Sequence, residues 1–340
     1  MEHPPQRTLS GTSCGVRFAS FGAPLEVIEL EQSEIPVPTS GQVLVQMEFA
    51  PVNPADLNVL EGKYGTLPAL PCVPGVEGVG RVVSEGPDLG ELAGGLISKR
   101  VLLPHGFGSW KRYGVVQASE LVLVPEDVPV HQAAMLRINP ATALCLLENF
   151  VALKPGDWVV QNAANSGVGR SVIQIARARR LRTLNVVRRG GLDKELCGIG
   201  ADVVLEFGEG LGARIREVTG GVLPRLGLNA VGGESALALA KTLSESGVLV
   251  TYGAMGLQPL RIPNGLLIFK DLSFRGFWVS RWYQNASQAE RDRLFKKLLN
   301  WAAQGILHTP VEAVYPLEEA RAAVAHAMRA ERSGKVLLQG

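Results

Sequence analysis

The alternation of short apolar runs with longer helical segments after Asn139-Pro140 is the feature that most constrains the fold of this 340-residue chain. Strand candidates lie at 157–160, 184–187, 201–204, 226–229, 247–251 and 272–274, and the first is followed by a helix predicted over 168–180. Strands that alternate with helices form right-handed crossovers and a parallel sheet. The sequence therefore predicts a doubly wound α/β domain over residues 138–303.

Residues 16–136 show a different pattern of secondary-structure signals. Short alternating runs such as 43–47 are separated by turn signals such as Thr39-Ser40-Gly41, which predicts a β-rich domain. The tail from Gln304 onward holds two short strand candidates around an Ala-rich helix, and it is too small to fold alone. We therefore expect the tail to complete the N-terminal domain, which gives two predicted domains, 1–137 with 304–340 and 138–303.

Composition narrows the class of protein. Hydrophobic residues make up 46% of the chain, which excludes dominant disorder, and the net charge of +2 argues against a nucleic-acid partner. Four isolated cysteines favour a reducing compartment, and no apolar run reaches the roughly 18 residues of a membrane span. We expect a cytoplasmic protein, with the mitochondrial matrix as the alternative because a processed organellar protein would look the same.

The segment 161–169, QNAANSGVG, joins the first strand to the first helix of the predicted α/β domain. In that context it indicates a dinucleotide-binding turn, because small residues let the backbone approach a pyrophosphate and the helix N-terminus offers free N–H groups. It is not a strict G-x-G-x-x-G motif, and an ordinary tight turn into a helix is the alternative interpretation.

Two arginines follow the second predicted strand, which ends at Val187. An NAD-specific site usually places an acidic residue near this point to bind the ribose 2′-OH, whereas arginine pairs with a 2′-phosphate. Arg188 and Arg189 therefore predict NADPH as the cofactor. Two solvated surface arginines at a strand end are the alternative interpretation.

The residues that a metal site, acyl hydrolysis or phosphoryl transfer would need are not found at the required spacings. The five histidines and four cysteines fall at unrelated spacings, so no metal site is predicted. The chain has neither a G-x-S-x-G elbow nor a P-loop lysine, which argues against acyl hydrolysis and phosphoryl transfer.

Three stretches carry a resemblance to a known family: PVNPAD at 51–56 with GKYG at 62–65, the turn at 161–169, and LIFKD at 267–271 running into RGFWVS at 275–280. On these the chain resembles the zinc-free branch of the medium-chain dehydrogenase/reductase superfamily, most closely the NADPH-dependent 2-enoyl thioester reductases of the mitochondrial trans-2-enoyl-CoA reductase type. The resemblance covers about 18–338 and implies a GroES-like β-rich catalytic domain plus a Rossmann cofactor domain.

The resemblance also implies an activity and a site. The activity is reduction of trans-2-enoyl thioesters, enoyl-CoA or enoyl-acyl-carrier-protein, in fatty-acid synthesis, by a homodimer without a metal. Tyr64 is implied as the catalytic tyrosine that protonates or polarises the substrate. The positions that match the cofactor and substrate cleft are Asn139, Asn165, Ser166, Gly167, Val168, Arg188, Arg189, Gly190, Tyr252, Gly253, Ala254, Met255, Phe277, Trp278, Val279 and Lys335.

Alternatives remain at several positions. The stretch PGVEG at 74–78 is closer to the quinone-reductase branch, and Arg137 stands where the enoyl reductases tend to carry a small residue, so that it either shortens an acyl pocket or pairs with a polar substrate group. Phe277, Trp278 and Trp282 fit an acyl pocket, and a strand over 274–280 fits a subunit interface as well. Two other functions therefore stay open, an NADPH quinone or enone reductase and a non-catalytic NADPH-binding protein.

Overall fold

The computed structural model describes residues 9–329 and 332–340. The chain forms two compact units: unit 1 comprises Met1–Ile138 with Gln288–Gly340, and unit 2 comprises Asn139–Ser287. The helix Gln288–Ala303 belongs to unit 1, whereas the sequence-based division placed it in the α/β domain. The domain boundaries themselves remain a prediction that limited proteolysis would test.

The helices and strands follow the chain in three segments. The N-terminal part of unit 1 contains β1 Thr12–Phe18, α1 Pro24–Val27, β2 Ile28–Glu34, β3 Gln42–Pro51, α2 Pro54–Leu60, β4 Val79–Glu85, β5 Arg100–Leu102, β6 Tyr113–Gln117, β7 Val122–Leu123 and α3 Val130–Ala133. Unit 2 contains α4 Asn139–Glu148, β8 Trp158–Gln161, α5 Gly167–Ala178, β9 Arg182–Val187, α6 Asp193–Gly198, β10 Val203–Glu206, α7 Leu211–Thr219, β11 Leu226–Asn229, α8 Gly233–Thr242, β12 Val248–Thr251, α9 Asn264–Ile268, β13 Ser273–Gly276 and α10 Val279–Asn285. The C-terminal part of unit 1 contains α11 Gln288–Ala303, β14 Val311–Pro316, α12 Ala320–Ala327 and β15 Lys335–Gln339.

Unit 1 is built around a mixed seven-stranded sheet. Its strand order is β14-β15-β3-β4-β5-β7, and β6 also pairs with β3. The C-terminal strand β15 runs antiparallel to β3, with Leu337 opposite Pro51. Large apolar side chains such as Phe18, Trp110 and Leu338 fill the core. The C-terminal strand β15 therefore lies in the same sheet as the N-terminal strands.

Unit 2 is a doubly wound parallel sheet. The strand order is β10-β9-β8-β11-β12-β13, and every neighbouring pair is parallel. Helix α5 turns an apolar face to the unit, because Val172, Ile173 and Ile175 are buried. The strand order switches side between β8 and β11, because β9 and β10 extend the sheet on one side of β8, and β11, β12 and β13 extend it on the other. Sheets of this topology bind dinucleotides at that switch point. The predicted α/β fold with a GroES-like β-rich unit is confirmed.

The end of the last parallel strand differs from the prediction. A strand was expected over 274–280, but β13 ends at Gly276 and α10 begins at Val279. The reason is that the neighbouring strand β12 ends at Thr251, opposite Gly276, and only one further bond forms, from Phe277 N to Thr251 O at 3.0 Å. Trp278 and Trp282 therefore do not lie in a strand.

Within the described ranges, no helix combines the length and the apolar character needed to cross a bilayer.

Candidate active site

The carboxyl ends of the parallel strands gather most of the sequence-predicted residues of unit 2. Because all six strands run the same way, the loops that follow them lie along one edge of the sheet. The structure brings together on this edge residues 162–168 after β8, 188–190 after β9, 252–255 after β12 and 277–279 after β13.

The turn over 164–169 at the N-terminus of α5 packs closely and forms what we call the glycine cradle. The Ser166 hydroxyl caps the helix by accepting a hydrogen bond from the N–H of Gly169 at 3.1 Å. A Cβ on Gly169 would lie 2.5 Å from the carbonyl oxygen of Ala164, and one on Gly167 would lie 2.8 Å from Nδ2 of Asn139. A side chain at Gly169 would collide with the backbone, so glycine is needed there, and the start of this 12-residue helix offers N–H groups without intrahelical partners to an anion.

Two buried polar atoms stand beside the cradle. Nδ2 of Asn139 is buried, and within the described part of the chain it has no hydrogen-bond partner. The hydroxyl of Tyr252 is also buried, and this burial raises the pKa of Tyr252 above its ordinary value, against a smaller lowering effect of the Ser166 side chain. Tyr252 therefore stays a neutral phenol at physiological pH, and these residues fit a phosphorylated cofactor.

The end of β9 presents exposed arginines. Arg188, Arg189 and Gly190 are all exposed. Phe207 donates its N–H to the carbonyl of Val187 at 2.7 Å, which holds the β9 end against the segment after β10. A Cβ on Gly190 would lie 3.0 Å from Oε2 of Glu206. The sequence analysis missed Glu206, because its place beside Gly190 depends on the pairing of β9 with β10.

A network of buried amide side chains connects the loops at the carboxyl edge of the unit 2 sheet. The sequence analysis did not identify this network. Asn162 donates from Nδ2 to Oδ1 of Asn229 at 2.8 Å and accepts at Oδ1 from the N–H of Ala230 at 2.7 Å. Asn229 donates in turn to Oγ1 of Thr251 at 3.1 Å. The available signal was an asparagine at or just after the end of an otherwise apolar strand, where only hydrogen-bonded polar groups are tolerated.

In unit 1, Tyr64 follows the C-terminus of α2. Gly62 has a φ of +70°, and a Cβ there would lie 3.1 Å from Cβ of Phe21. Lys63 donates its N–H to the carbonyl of Asn58 at 2.8 Å. This turn therefore places the half-buried Tyr64 ring at a defined point after the helix.

Lys335 lies in a buried polar cluster of unit 1. Its ammonium donates to Oδ1 of Asn53, and Nδ2 of Asn53 donates to Oε1 of Glu77 at 2.8 Å. The other Glu77 oxygen accepts from the N–H of Ile138 at 2.8 Å. Burial lowers the pKa of Lys335, and the charge of Glu77 opposes that effect. The sequence analysis assigned Lys335 but missed Asn53 and Glu77.

Asp56 is a second buried carboxylate in this cluster. It accepts from the N–H of Asn53 at 2.8 Å and from the N–H of Val76 at 3.0 Å. Burial raises the pKa of Asp56 to about 7, against the lowering effect of the Asn53 donor. Asp56 therefore ties the start of α2 to the segment that carries Glu77.

Arg137 is buried inside unit 1. Its guanidinium carbon lies 4.6 Å from the ring centroid of Phe295 on α11. Burial, with a smaller contribution from the Arg137 charge, lowers the pKa of His105 to about 4. Burial raises the pKa of Glu77, and the charges of Lys335 and, to a smaller degree, Arg137 oppose that effect. His105 is therefore neutral at physiological pH.

In the described ranges, no group of three or more His, Cys, Asp or Glu side chains is arranged to hold a metal ion.

Comparison with known proteins identifies the family. The chain is 41% identical over 326 residues to the mitochondrial enoyl-[acyl-carrier-protein] reductase of Mus musculus, and the match covers 94% of this chain and 87% of the mouse protein. This chain belongs to the mitochondrial enoyl-[acyl-carrier-protein] reductase family. Its two parts match the models "Alcohol dehydrogenase GroES-like domain" over 39–126 and "Zinc-binding dehydrogenase" over 167–296, so this reductase family member also carries the domains of the medium-chain dehydrogenase/reductase superfamily.

Solved structures resemble this reductase family member closely. The Etr1p complex with NADP and crotonyl-CoA has a TM-score of 0.88 at 26% identity, and the mitochondrial 2-enoyl thioester reductase Etr1p/Etr2p heterodimer from Candida tropicalis has 0.86 at 27%. A mycobacterial quinone oxidoreductase has 0.84 at 25%. The matches cover 97%, 97% and 96% of this chain and all of each solved chain.

Proposed function

We propose that this protein reduces trans-2-enoyl thioesters to saturated acyl thioesters with NADPH, using enoyl-CoA or enoyl-acyl-carrier-protein in fatty-acid synthesis. The observation that carries the proposal is the glycine cradle at α5 with two exposed arginines after β9, in a chain 41% identical to a mammalian enoyl-[acyl-carrier-protein] reductase.

The cofactor site uses groups of unit 2. The N–H groups at the start of α5 bind the pyrophosphate, and Arg188 and Arg189 bind the 2′-phosphate that distinguishes NADPH from NADH. Tyr252, kept neutral by burial, offers a hydroxyl beside the cradle. NADPH, when bound, supplies the hydride that reduces the β-carbon of the unsaturated thioester. The proposed reaction uses no metal ion.

Tyr64 of unit 1 provides the polar chemistry on the substrate. As the β-carbon is reduced, negative charge develops on the thioester oxygen and needs a preorganised hydrogen-bond donor. The phenol of Tyr64, which the turn at Gly62 holds in place, donates to that oxygen or delivers the proton to the α-carbon.

The alternative function is an NADPH quinone or enone reductase, which the likeness to the mycobacterial quinone oxidoreductase supports. The test is the initial rate of NADPH oxidation with a short trans-2-enoyl-CoA, a long one and a simple quinone, with NADH run alongside. We expect turnover of the enoyl thioesters with NADPH. Turnover of the quinone alone would assign the alternative, and the ratio of short to long substrate reports whether Arg137 limits chain length.

We also propose a mitochondrial matrix location, the alternative to the cytoplasmic expectation, because the relative from mouse is named a mitochondrial protein. Cell fractionation tests it: co-fractionation with matrix markers is expected, and recovery with cytosolic markers would contradict it.

The homodimer stays a proposal, supported by the free edge of the unit 2 sheet. Strand β13 ends the strand order and, in the described part of the chain, pairs only with β12. Large apolar side chains near it are exposed, with Ile268 at 69% and Phe269 at 82%. An edge strand beside exposed apolar residues is suited to pairing with a second copy.

A further inference from the structure

We propose that Gln161 and Asn185 are positioning residues for the glycine cradle, and that they set the affinity of the cradle for the pyrophosphate of NADPH. The inference rests on the proposed function, because it takes the cradle as the pyrophosphate site. It adds two buried amides of unit 2 that are not among the cofactor-binding residues implied by the resemblance.

Gln161 links strand β8 to the first turn of α5. It is the last residue of β8, and its Nε2 donates to the carbonyl oxygen of Gly169 at 2.9 Å. The same nitrogen donates to Oδ1 of Asn185, directly opposite on β9, at 2.8 Å. Asn185 donates in turn from Nδ2 to the carbonyl oxygen of Val203 on β10 at 3.0 Å. A row of hydrogen bonds therefore runs from three strands of the sheet into the helix that carries the cradle.

The neighbours of the Gln161 amide fix its orientation. The carbonyl oxygen of Gly169 only accepts hydrogen bonds. Nδ2 of Asn185 already donates to Val203 and, at 2.9 Å, to Oγ1 of Thr183, so Asn185 presents its oxygen to Gln161. Both neighbours therefore require a donor, and the Gln161 amide turns its nitrogen toward them. Within the described residues, the buried Oε1 of Gln161 has no hydrogen-bond partner.

Stability alone does not explain this pair of amides. The rest of β8, residues 158–160, is buried and apolar, and Gln161 and Asn185 are themselves 0% exposed. A buried acceptor without a partner destabilises a fold, whereas replacing both partners of a buried hydrogen bond by apolar groups of the same shape can be nearly neutral. What the pair adds is a donor held against the carbonyl oxygen of Gly169.

Gly169 is the point at which the row meets the cradle. Its N–H donates to Oγ of Ser166 at 3.1 Å, and a Cβ on it would lie 2.5 Å from the carbonyl oxygen of Ala164. The bond from Gln161 fixes the carbonyl side of the same residue. Because the N–H groups without intrahelical partners belong to this first turn, the row holds them at a fixed place relative to the sheet.

Two ligands and a double-mutant cycle test the inference. The variants are Q161M, N185L and the pair Q161M/N185L. The readouts are the dissociation constants of NADPH and of 2′-AMP, which carries the 2′-phosphate but no pyrophosphate, from calorimetric titration. Q161M is expected to weaken NADPH binding by about fivefold, the effect of one hydrogen bond between neutral groups, and to leave 2′-AMP binding unchanged. The pair is expected to bind NADPH no more weakly than Q161M alone.

The matched control is T242V, which removes another buried hydrogen bond of unit 2, from Oγ1 of Thr242 to the carbonyl oxygen of Leu239 at 2.7 Å, and is expected to leave both constants unchanged. An unchanged NADPH constant in Q161M, or equal weakening of both ligands, would overturn the inference, because the second result is that of a general loss of structure. Additive losses in the pair would overturn the role of Asn185. If Q161M does not fold, N185L decides on the same two constants.

The titrations need no enoyl substrate, which separates this inference from the proposed function. A protein that shows the expected constants but does not reduce enoyl thioesters would contradict the proposed function and leave the inference standing. A protein that reduces enoyl thioesters with an unchanged NADPH constant in Q161M would do the reverse.

Discussion

At the scale of single residues, the phenol of Tyr64 is the group on which the proposed chemistry most depends. Replacing it with phenylalanine keeps the ring but removes the donor, so Y64F is expected to lower kcat for an enoyl-CoA by about 100-fold or more if the phenol acts as a general acid. The measurement is steady-state NADPH oxidation, with Y113F on β6 as the control. Full activity of Y64F would remove Tyr64 from the mechanism.

Arg188 and Arg189 are expected to select the cofactor. The double change R188D/R189D removes the proposed partners of the 2′-phosphate, and it is expected to raise the KM for NADPH by at least about 100-fold, since two hydrogen bonds to a charged group together contribute about 3 kcal/mol or more. The KM for NADH should not rise in parallel.

A charge-matched control for this change is K154D/K241D, which alters two exposed lysines of the same unit. We expect its KM for NADPH to stay near the wild-type value. An unchanged KM in R188D/R189D would show that the two arginines are ordinary surface charge and that NADPH is recognised elsewhere.

At the scale of elements, the turn that leads into β15 depends on Glu312. One oxygen of Glu312 accepts from the N–H groups of Ser333 at 2.7 Å and Gly334 at 3.0 Å, and the other meets Nε2 of His326 at 2.8 Å. A Cβ on Gly334 would lie 2.8 Å from the carbonyl oxygen of Pro310. Glu312 therefore fixes a tight turn next to Lys335.

The pH dependence of this turn has a definite sign. The His326 hydrogen bond lowers the pKa of Glu312 from 4.5 to about 2, so the carboxylate stabilises the fold above pH 4.5 and loses that effect as the pH falls toward 2. E312Q should therefore melt below the wild type at pH 7, and the difference in Tm should shrink below pH 4. E31Q, which alters the half-exposed acid paired with Arg17, is the control. A Tm difference that does not change with pH would contradict this account.

The elements show what the sequence predicts well. Strand β11 lies over 226–229 and α5 begins one residue before its predicted start, because apolar runs and a Ser166 cap mark such elements locally. The strand candidate at 272–274 falls on β13, whereas the strand expected over 274–280 extends too far, since the end of β13 depends on the length of β12, a partner that the sequence does not reveal.

The site follows the same rule. The cradle and the arginines after β9 lie in contiguous motifs, so their places after β8 and β9 can be predicted from the sequence, while their binding roles stay a prediction. The contact of Asn53 with Lys335 joins residues 282 positions apart, and Glu206 reaches Gly190 only through sheet pairing. Such contacts form only in the packed fold, and no local sequence pattern predicts them.

At the scale of the whole molecule, the exposed apolar residues near β13 predict self-association. Three large apolar side chains are more exposed than is usual for the surface of a monomer: Leu257, which is 87% exposed, Ile268 and Phe269. The wild type is expected to be a dimer by light scattering, and I268D/F269D is expected to be a monomer because two charges oppose burial of this surface.

The control for the assembly is L123D/V37D, which alters exposed apolar residues of unit 1 and is expected to remain dimeric. A monomeric wild type, or a dimer that persists in I268D/F269D, would contradict an interface at β13.

The central claim, that the whole protein reduces the carbon–carbon double bond of an enoyl thioester, is tested most directly by isotope transfer. The protein is given NADPH labelled with deuterium at C4 of the nicotinamide, together with crotonyl-CoA, and the acyl product is analysed by mass spectrometry and NMR. The account predicts butyryl-CoA with one deuterium at the β-carbon. Unchanged crotonyl-CoA from a protein that oxidises the same NADPH with a quinone would contradict it.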